Sequence, residues 1–290
     1  MTKVPPTLEE SIGSIVVRND IITVAPIAGL FAAFGEERSE PQYGDVIPKL
    51  WHGLFCTAKT PRSKLGVDGL PRTEEILPSL AEYPNKLFGG ARYRFLKPLK
   101  IGDKIKKESE VISFEVKQGR SGKFVFGVLQ HRIYNDRGLC LVEDNDIIFR
   151  PSTAKMTEKK RGAQPPLPNG SIRSDNSLAI WSVNISLDPV LMFRHSALTF
   201  NSHRIHYDRD YVREKGYPGL VVQGSLIARL MLFHFFKRQP DYDIKTFAFR
   251  ALRPIYDNGD IKIEATCCNE NIEILAVNII DETCISAKIS

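Results

Sequence analysis

The hydrophobic positions of the chain follow two different periods, one helical and one extended. A helical period of three to four residues runs from Ile22 to Gly35 and again from about Gln223 to Lys237. Pro26 suits the first turn of the earlier helix, and Gly35 suits the left-handed residue that closes it. Apolar side chains of the later helix cover nearly its whole circumference, so we expect it to be buried on all sides.

Alternating and β-branched segments predict antiparallel strands after each set of short helices. In the first half we expect strands at 87–95, 108–116, 124–134 and 139–150, the last three joined by hairpin turns. In the second half we expect strands at 179–187, 244–250, 260–267 and 272–280, with a weaker one at 285–289. A strongly curved sheet around one helix would bury that helix completely. The pattern therefore predicts an α+β fold built from two similar units.

Composition shifts divide the chain into three parts. We expect a first domain at 1–150, a polar and proline-rich linker at 151–178, and a second domain at 179–290. The segment 60–86 is rich in Pro, Gly and charge, which predicts a long loop over the surface or across a pocket mouth. The acidic run 143–146 lies within a predicted strand, so we interpret it as a solvated sheet edge rather than a metal site.

Charge and cysteine content restrict the classes of partner. The 290 residues carry a net charge of +6, but Lys and Arg are scattered, so no nucleic-acid stripe is formed. The basic balance does fit an anionic ligand that bears phosphates. Five cysteines show neither C-x-x-C nor zinc spacing, and they fit reduced thiols in a cytosol. The N-terminal residues lack a signal-peptide pattern, and the apolar run 226–236 is too short to span a bilayer. We therefore expect a cytoplasmic protein without membrane, nucleic-acid, metal or cofactor partners.

The segment Leu198-Thr-Phe-Asn-Ser-His-Arg-Ile-His206 carries the candidate chemistry. Asn201 and His206 are both able to handle a water molecule, and they precede the turn in which Gly224 opens the apolar helix. A base beside a helix N-terminus suits a reaction that develops negative charge on a carbonyl oxygen. On spacing alone, ordinary loop histidines and a helix-starting glycine explain this segment equally well.

The thirteen residues from Ser196 to Asp208 resemble a family motif closely. They are similar to the catalytic segment of MaoC-like hydratases, in particular to the two-hot-dog branch of hydroxyacyl-thioester dehydratases type 2 and mesaconyl-CoA and itaconyl-CoA hydratases. The element Leu87-Phe-Gly-Gly-Ala-Arg-Tyr-Arg-Phe95 resembles that branch as well. The resemblance implies two tandem hot-dog folds, the second of them catalytic, and reversible hydration of an acyl thioester of coenzyme A or acyl carrier protein. The degenerate first unit would shape the acyl channel.

The resemblance assigns roles to five residues. His206 exchanges a proton with water, Asn201 holds that water, and the Gly224 N–H receives the developing oxyanion. Val222 and Gln223 position the turn. The motif usually has Asp where this chain has Asn201, and an amide cannot carry a proton, so we expect His206 to serve both proton-transfer steps.

Four more residues are candidates for binding the substrate: His203, Arg204, Trp51 and His52. No acidic or amide partner of His52 is evident from spacing. An itaconyl or mesaconyl thioester has a free carboxylate that suits an arginine, for which Arg204, Arg94, Arg250 and Arg253 are candidates.

Other functions remain open at this level. A fatty-acid-synthesis dehydratase is one, and a non-catalytic acyl-thioester-binding subunit is another. A hot-dog thioesterase fits less well because the central helix offers no acidic base near its start. Sheet edges that need cover favour a homodimer.

Overall fold

The structure, a computed structural model, describes residues 6–73, 75–77, 80, 82–119, 122–151, 179–268 and 271–290. Except for Pro151, the expected linker lies outside the described residues. The helices are α1 (Pro6–Glu9), α2 (Val24–Ala33), α3 (Pro189–Leu198), α4 (Arg209–Glu214) and α5 (Gly224–Arg238). The strands are β1 (Ile15–Ile21), β2 (Asn85–Phe95), β3 (Lys104–Gly119), β4 (Gly122–Asn135), β5 (Gly138–Arg150), β6 (Ala179–Ile185), β7 (Thr246–Ala251), β8 (Ile261–Cys268), β9 (Asn271–Val277) and β10 (Thr283–Ile289).

All ten strands form one antiparallel sheet in the order β1-β3-β4-β5-β2-β7-β10-β9-β8-β6. The order of the first five strands is repeated in reverse by the last five, with β1 matching β6, β2 matching β7, and so on. The two halves meet where β2 pairs with β7 from Gly90↔Arg250 to Arg94↔Thr246. This symmetric order confirms the predicted repetition of one α+β unit.

The apolar helix α5 lies against the second half and is buried on most of its surface. Its fully buried residues include Leu226, Ile227 and Met231, all at 0% exposure. They join one continuous core with the inward side chains of both halves. Removal of that much apolar surface from water, at roughly 25 cal/mol per Å², fixes the helix in place. The prediction of an enclosed helix is therefore confirmed.

The first half contains no helix equivalent to α5 among its described residues. Between α2 and β2 the described residues form two short 3-10 helices, Trp51–Leu54 and Arg62–Lys64. The first of these packs into the space beneath the sheet, where Trp51 is 1% exposed. None of the helices in the described ranges has the length and apolar character needed to cross a membrane.

Three expectations about strands need correction. β1 was not expected, because its charged residues Arg18 and Asp20 conceal the alternation of an edge strand. β10 was expected to be weak but pairs on both sides, with β7 and β9. The acidic run 143–146 is not at an edge, because β5 lies between β4 and β2.

Candidate active site

The turn that follows α3 holds the predicted catalytic amide. Asp188 caps the start of α3 by accepting hydrogen bonds from the backbone N–H groups of Val190 and Leu191. Beyond the helix, Phe200 adopts a left-handed backbone with φ 54°. The Asn201 N–H donates to the Ser196 carbonyl at 2.8 Å, and Asn201 Oδ1 accepts the His203 N–H at 3.1 Å. The Asn201 backbone is thus fixed, while its side-chain NH₂ donates to no acceptor among the described residues.

His206 is oriented by the strand-like segment that leads to α5. Its Nδ1 lies 2.6 Å from the Val221 carbonyl oxygen. A carbonyl only accepts hydrogen bonds, so Nδ1 carries the proton and Nε2 presents a lone pair. The pKa of His206 is lowered to about 4, mainly by burial; the hydrogen bond to Val221 opposes this effect, and the neighbouring His203, whose ring centroid is 5.5 Å away, adds to it. The imidazole is therefore neutral near pH 7 and able to accept a proton.

Three hydrogen bonds hold the turn before α5. The Val222 N–H donates to the Ile255 carbonyl at 2.8 Å. Gln223 is 3% exposed, and its amide Nε2 donates to Ser196 Oγ at 2.7 Å and to the Met192 carbonyl at 3.2 Å. Val222 and Gln223 are thus placed to position the turn.

Gly224 begins α5 with a backbone N–H that has no acceptor among the described residues, as expected in a first helical turn. A Cβ at this position would meet Phe88 of β2 at 3.9 Å. This N–H and the positive end of the helix dipole are both suited to stabilise an oxyanion at the start of α5. Ser196 connects the two parts of the site, because its carbonyl binds Asn201 and its hydroxyl binds Gln223.

A loop of the first half crosses the segment 200–206, which contains the predicted catalytic residues Asn201 and His206 and is called the catalytic turn. Ser202 Oγ donates to the Gly69 carbonyl at 2.6 Å, and the Arg204 N–H donates to the Asp68 carbonyl at 2.8 Å. A Cβ at Gly69 would lie 2.1 Å from the Ser202 carbonyl oxygen, so this contact requires glycine. The predicted loop at 60–86 therefore contacts the site itself.

Of the four predicted substrate-binding residues, His203 and Arg204 belong to the catalytic turn, and the other two belong to the first half. His203 lies beside His206, in the catalytic turn. The Arg204 guanidinium instead pairs with Asp208 at 2.7 Å and covers the ring of Tyr211 at 4.5 Å.

Trp51 and His52 lie in the first half, beneath its sheet. Trp51 packs against Phe31, with ring centroids 4.5 Å apart. His52 does have an acidic partner, contrary to the expectation from spacing, since its Nε2 lies 3.0 Å from Glu143 Oε2. A groove of about 910 Å³ also opens in this half, but none of the predicted site residues lines it.

Sequence reasoning missed a buried polar pair beside the catalytic turn. Arg229 of α5 is 6% exposed and donates through Nη1 to His195 Nε2 at 2.8 Å. An arginine among the apolar residues of α5 was the available signal, because burial of a charge is unfavourable unless the charge is paired or hydrogen-bonded.

Two halves of one antiparallel sheet with the same strand order, and one long helix packed against the second half, match the architecture of solved double-hot-dog structures. A MaoC-like dehydratase from Phytophthora capsici matches with a TM-score of 0.71 and 14% identity, covering 97% of this chain and 95% of that one. A Mycobacterium tuberculosis protein described as a double hot-dog fold matches with a TM-score of 0.57 and 13% identity, covering 97% and 96%.

The sequence comparisons identify the family. The sequence model of hydroxyacyl-thioester dehydratase type 2 matches residues 50–257. The mesaconyl-C(4)-CoA hydratase of Chloroflexus aurantiacus is 34% identical over 274 residues, which cover 94% of this chain and 93% of that protein. The chain belongs to the hydroxyacyl-thioester dehydratase type 2 family.

Proposed function

We propose that this protein catalyses the reversible addition of water to an α,β-unsaturated acyl-CoA thioester, with His206 as the proton-transfer residue. The observation that carries the proposal is the hydrogen bond from His206 Nδ1 to the Val221 carbonyl, which leaves Nε2 as the basic nitrogen. Membership of a family of hydroxyacyl-thioester dehydratases supports a hydro-lyase activity.

The site residues supply each step of hydration. The Asn201 amide holds the water, and His206 Nε2 removes a proton as the water oxygen forms a bond to Cβ of the acyl group. The electron pair of the double bond moves to the thioester oxygen, where the Gly224 N–H and the N-terminus of α5 stabilise the enolate. The protonated His206 then returns its proton to Cα. Dehydration follows the same steps in reverse.

Burial of His206 suits both directions of this exchange. A neutral imidazole is available to accept the proton, because burial holds the pKa near 4. The same low pKa makes the imidazolium a strong acid toward the enolate carbon. One side chain thus performs both transfers, as the amide at position 201 requires.

The finer assignments are also proposals. Itaconyl-CoA and mesaconyl-CoA are the candidate substrates, supported by the similarity to a mesaconyl-C(4)-CoA hydratase. Residues 1–150 form a degenerate hot-dog domain that shapes the acyl pocket, and residues 179–290 form the catalytic one. His203, Trp51 and His52 contribute to the walls of the acyl site.

We further propose a cytoplasmic homodimer. Cys56, Cys140 and Cys284 are free and buried, which fits a reducing compartment. The outer strands β1 and β6 each have one partner strand in the chain, so their open edges suit a contact with a second copy.

The test is the loss of enoyl-thioester absorbance with crotonyl-, itaconyl- and mesaconyl-CoA. His206→Ala should lower kcat on every accepted substrate by about 1000-fold, because a positioned acid–base group contributes 10²–10⁴-fold. His234→Ala, which removes a histidine of α5 outside the site, is the matched control and should keep activity.

Each negative result of this assay has a different interpretation. Wild-type turnover in His206→Ala would refute the assignment of the base. Release of free thiol without hydration would indicate a thioesterase, and CoA binding without turnover would indicate a binding subunit.

A further inference from the structure

Arg229 of α5 is a buried cation that contacts no carboxylate among the described residues. No Asp or Glu of the described residues lies within 4 Å of its guanidinium, whereas the guanidinium of Arg204, for example, pairs with Asp208 at 2.7 Å. Burial lowers the pKa of Arg229, and Tyr93 and Glu143, which make no hydrogen bond or ion pair with it, oppose that effect without reversing it. Burial of a charge away from water is unfavourable, so an anion in contact with the guanidinium would be strongly stabilised.

The groups around Arg229 leave hydrogen-bond donors unused. Its Nε donates to the Leu50 carbonyl at 3.2 Å, and its Nη1 donates to His195 Nε2 at 2.8 Å. Nη2 donates to no acceptor among the described residues. Since His195 Nε2 accepts, the proton of His195 is on Nδ1, and that buried N–H has no partner. Two adjacent side chains thus present free N–H groups.

These donors lie close to the oxyanion site. Side chains of a helix point toward its N-terminus, and Arg229 Nη1 accordingly reaches the Ser225 carbonyl at 3.4 Å. Ser225 directly follows Gly224. On the other side, His195 is adjacent to Ser196, which binds both Asn201 and Gln223. The buried Oε1 of Gln223 is also without a partner. Unused polar atoms therefore surround the start of α5.

The four arginines that the sequence offered for a substrate carboxylate are placed less suitably. Arg204 is engaged by Asp208, and Arg253 lies 3.6 Å from Glu282 while donating to the Thr283 carbonyl. Arg94 and Arg250 are exposed. Arg229 is the arginine that faces the interior beside the catalytic turn.

We propose that the Arg229 guanidinium binds a second carboxylate of the substrate through its free Nη2, so that the accepted acyl groups are those of short unsaturated dicarboxylic acids. This inference rests on the proposed hydratase function and names the feature of the substrate that the site selects. A hydrogen bond from a guanidinium N–H to a carboxylate joins two charged groups, and such bonds are roughly twice as strong as those between neutral groups.

The test compares mesaconyl-C4-CoA, which has the second carboxylate, with crotonyl-CoA, which lacks it. Wild-type protein should show kcat/KM at least about 100-fold higher for mesaconyl-C4-CoA, because a buried charge pair is worth several kcal/mol. Arg229→Met should reduce the ratio of the two kcat/KM values by about 100-fold, mainly through KM for the diacid. Arg253→Met is the matched control and should leave the ratio unchanged.

A second variant disturbs the guanidinium without removing the charge. A Cβ at Gly53 would lie 2.5 Å from Arg229 Nη2, and only the end of a flexible side chain would have to move. Gly53→Ala should therefore lower the same ratio by roughly 10-fold. It keeps the proposal testable if Arg229→Met fails to fold, as does the binding of the unreactive succinyl-CoA and butyryl-CoA to wild-type protein, where succinyl-CoA should bind more tightly.

Equal kcat/KM for the two substrates in wild-type protein would overturn the role of Arg229 while leaving the hydratase function intact. A parallel loss on both substrates in Gly53→Ala and Arg229→Met would show a structural role and would overturn it as well. Hydration of neither substrate would refute the proposed function itself.

Discussion

The two halves of the sheet differ most along a single row of paired residues on the inner face. In the first half the row runs through Ser109, His131, Glu143 and Tyr93, each paired with the next across neighbouring strands. It continues into the second half as Phe247, Ile289 and Ile272. This one row of the inner face is therefore polar in the first half and apolar in the second.

The difference follows from what covers each half. The apolar end packs against α5, which supplies only hydrocarbon over most of its surface. The polar end has no helix equivalent to α5 among the described residues, and the 3-10 helix Trp51–Leu54 places His52 Nε2 3.0 Å from Glu143 Oε2. Tyr93 donates its hydroxyl to the same carboxylate at 3.3 Å. Hydrogen bonds within the row satisfy groups that a helix would otherwise have required to be apolar.

The largest expected effect comes from removing the carboxylate at the centre of the polar row. Glu143→Ala leaves His52 and Tyr93 buried without their acceptor, so we expect a loss of about 3 kcal/mol or more in the free energy of unfolding. Glu115→Ala, at an exposed position of β3, is the control and should change it by less than about 0.5 kcal/mol. Urea denaturation measures both.

The same position offers a sharper comparison. A triple variant with His52→Leu, Tyr93→Phe and an apolar residue at position 143 would make the first half resemble the second. Its free energy of unfolding should be higher than that of Glu143→Ala. A combined variant as unstable as the single one would show that the two halves do not differ in the way described.

The next effect depends on pH. Burial lowers the pKa of His131 to about 4, below the value of about 6.5 expected in the unfolded chain. The unfolded chain therefore binds the proton first as pH falls, and the stability present above pH 6.5 is lost on the way to pH 4. Between pH 7 and pH 4.5, His131→Asn should lose about 2 kcal/mol less than wild-type protein in urea denaturation. Equal losses would show that His131 does not carry this dependence.

The smallest effect concerns the contact between the halves at the catalytic turn. In Gly69→Ala the new Cβ would collide with the Ser202 carbonyl, so the loop must move away, and kcat/KM for hydration should fall by about 10-fold. Gly13→Ala is matched in backbone conformation, with φ 81° against 83°, but its Cβ meets no atom within 4 Å. Activity equal in the two variants would show that the loop does not support the site.

Sequence reasoning succeeded where a signal was local. The helix α5 followed from its continuous apolar circumference, and the hairpins of the first half followed from their turn residues. The catalytic roles of Asn201, His206 and Gly224, which lie within a short stretch, stay a prediction. Local patterns of this kind are set by neighbours in the chain.

The rest depended on pairing between distant segments. His52 and Glu143 are 91 residues apart, and Arg229 and Leu50 are 179 apart, so no spacing rule connects them. The run 143–146 looked like a solvated edge because its charge was visible and the pairing of its strand with β2 was not. Whether a charged strand is central is decided by topology, which the sequence pattern does not contain.

The seam between β2 and β7 has an evolutionary consequence. In an assembly of two identical chains, every substitution appears in both copies. A position therefore cannot carry one residue for catalysis in one copy and a different residue for substrate binding in the other. Joining both units in one polypeptide removes that constraint. One copy is then free to acquire charge, lose a helix and specialise, while the other conserves the chemistry.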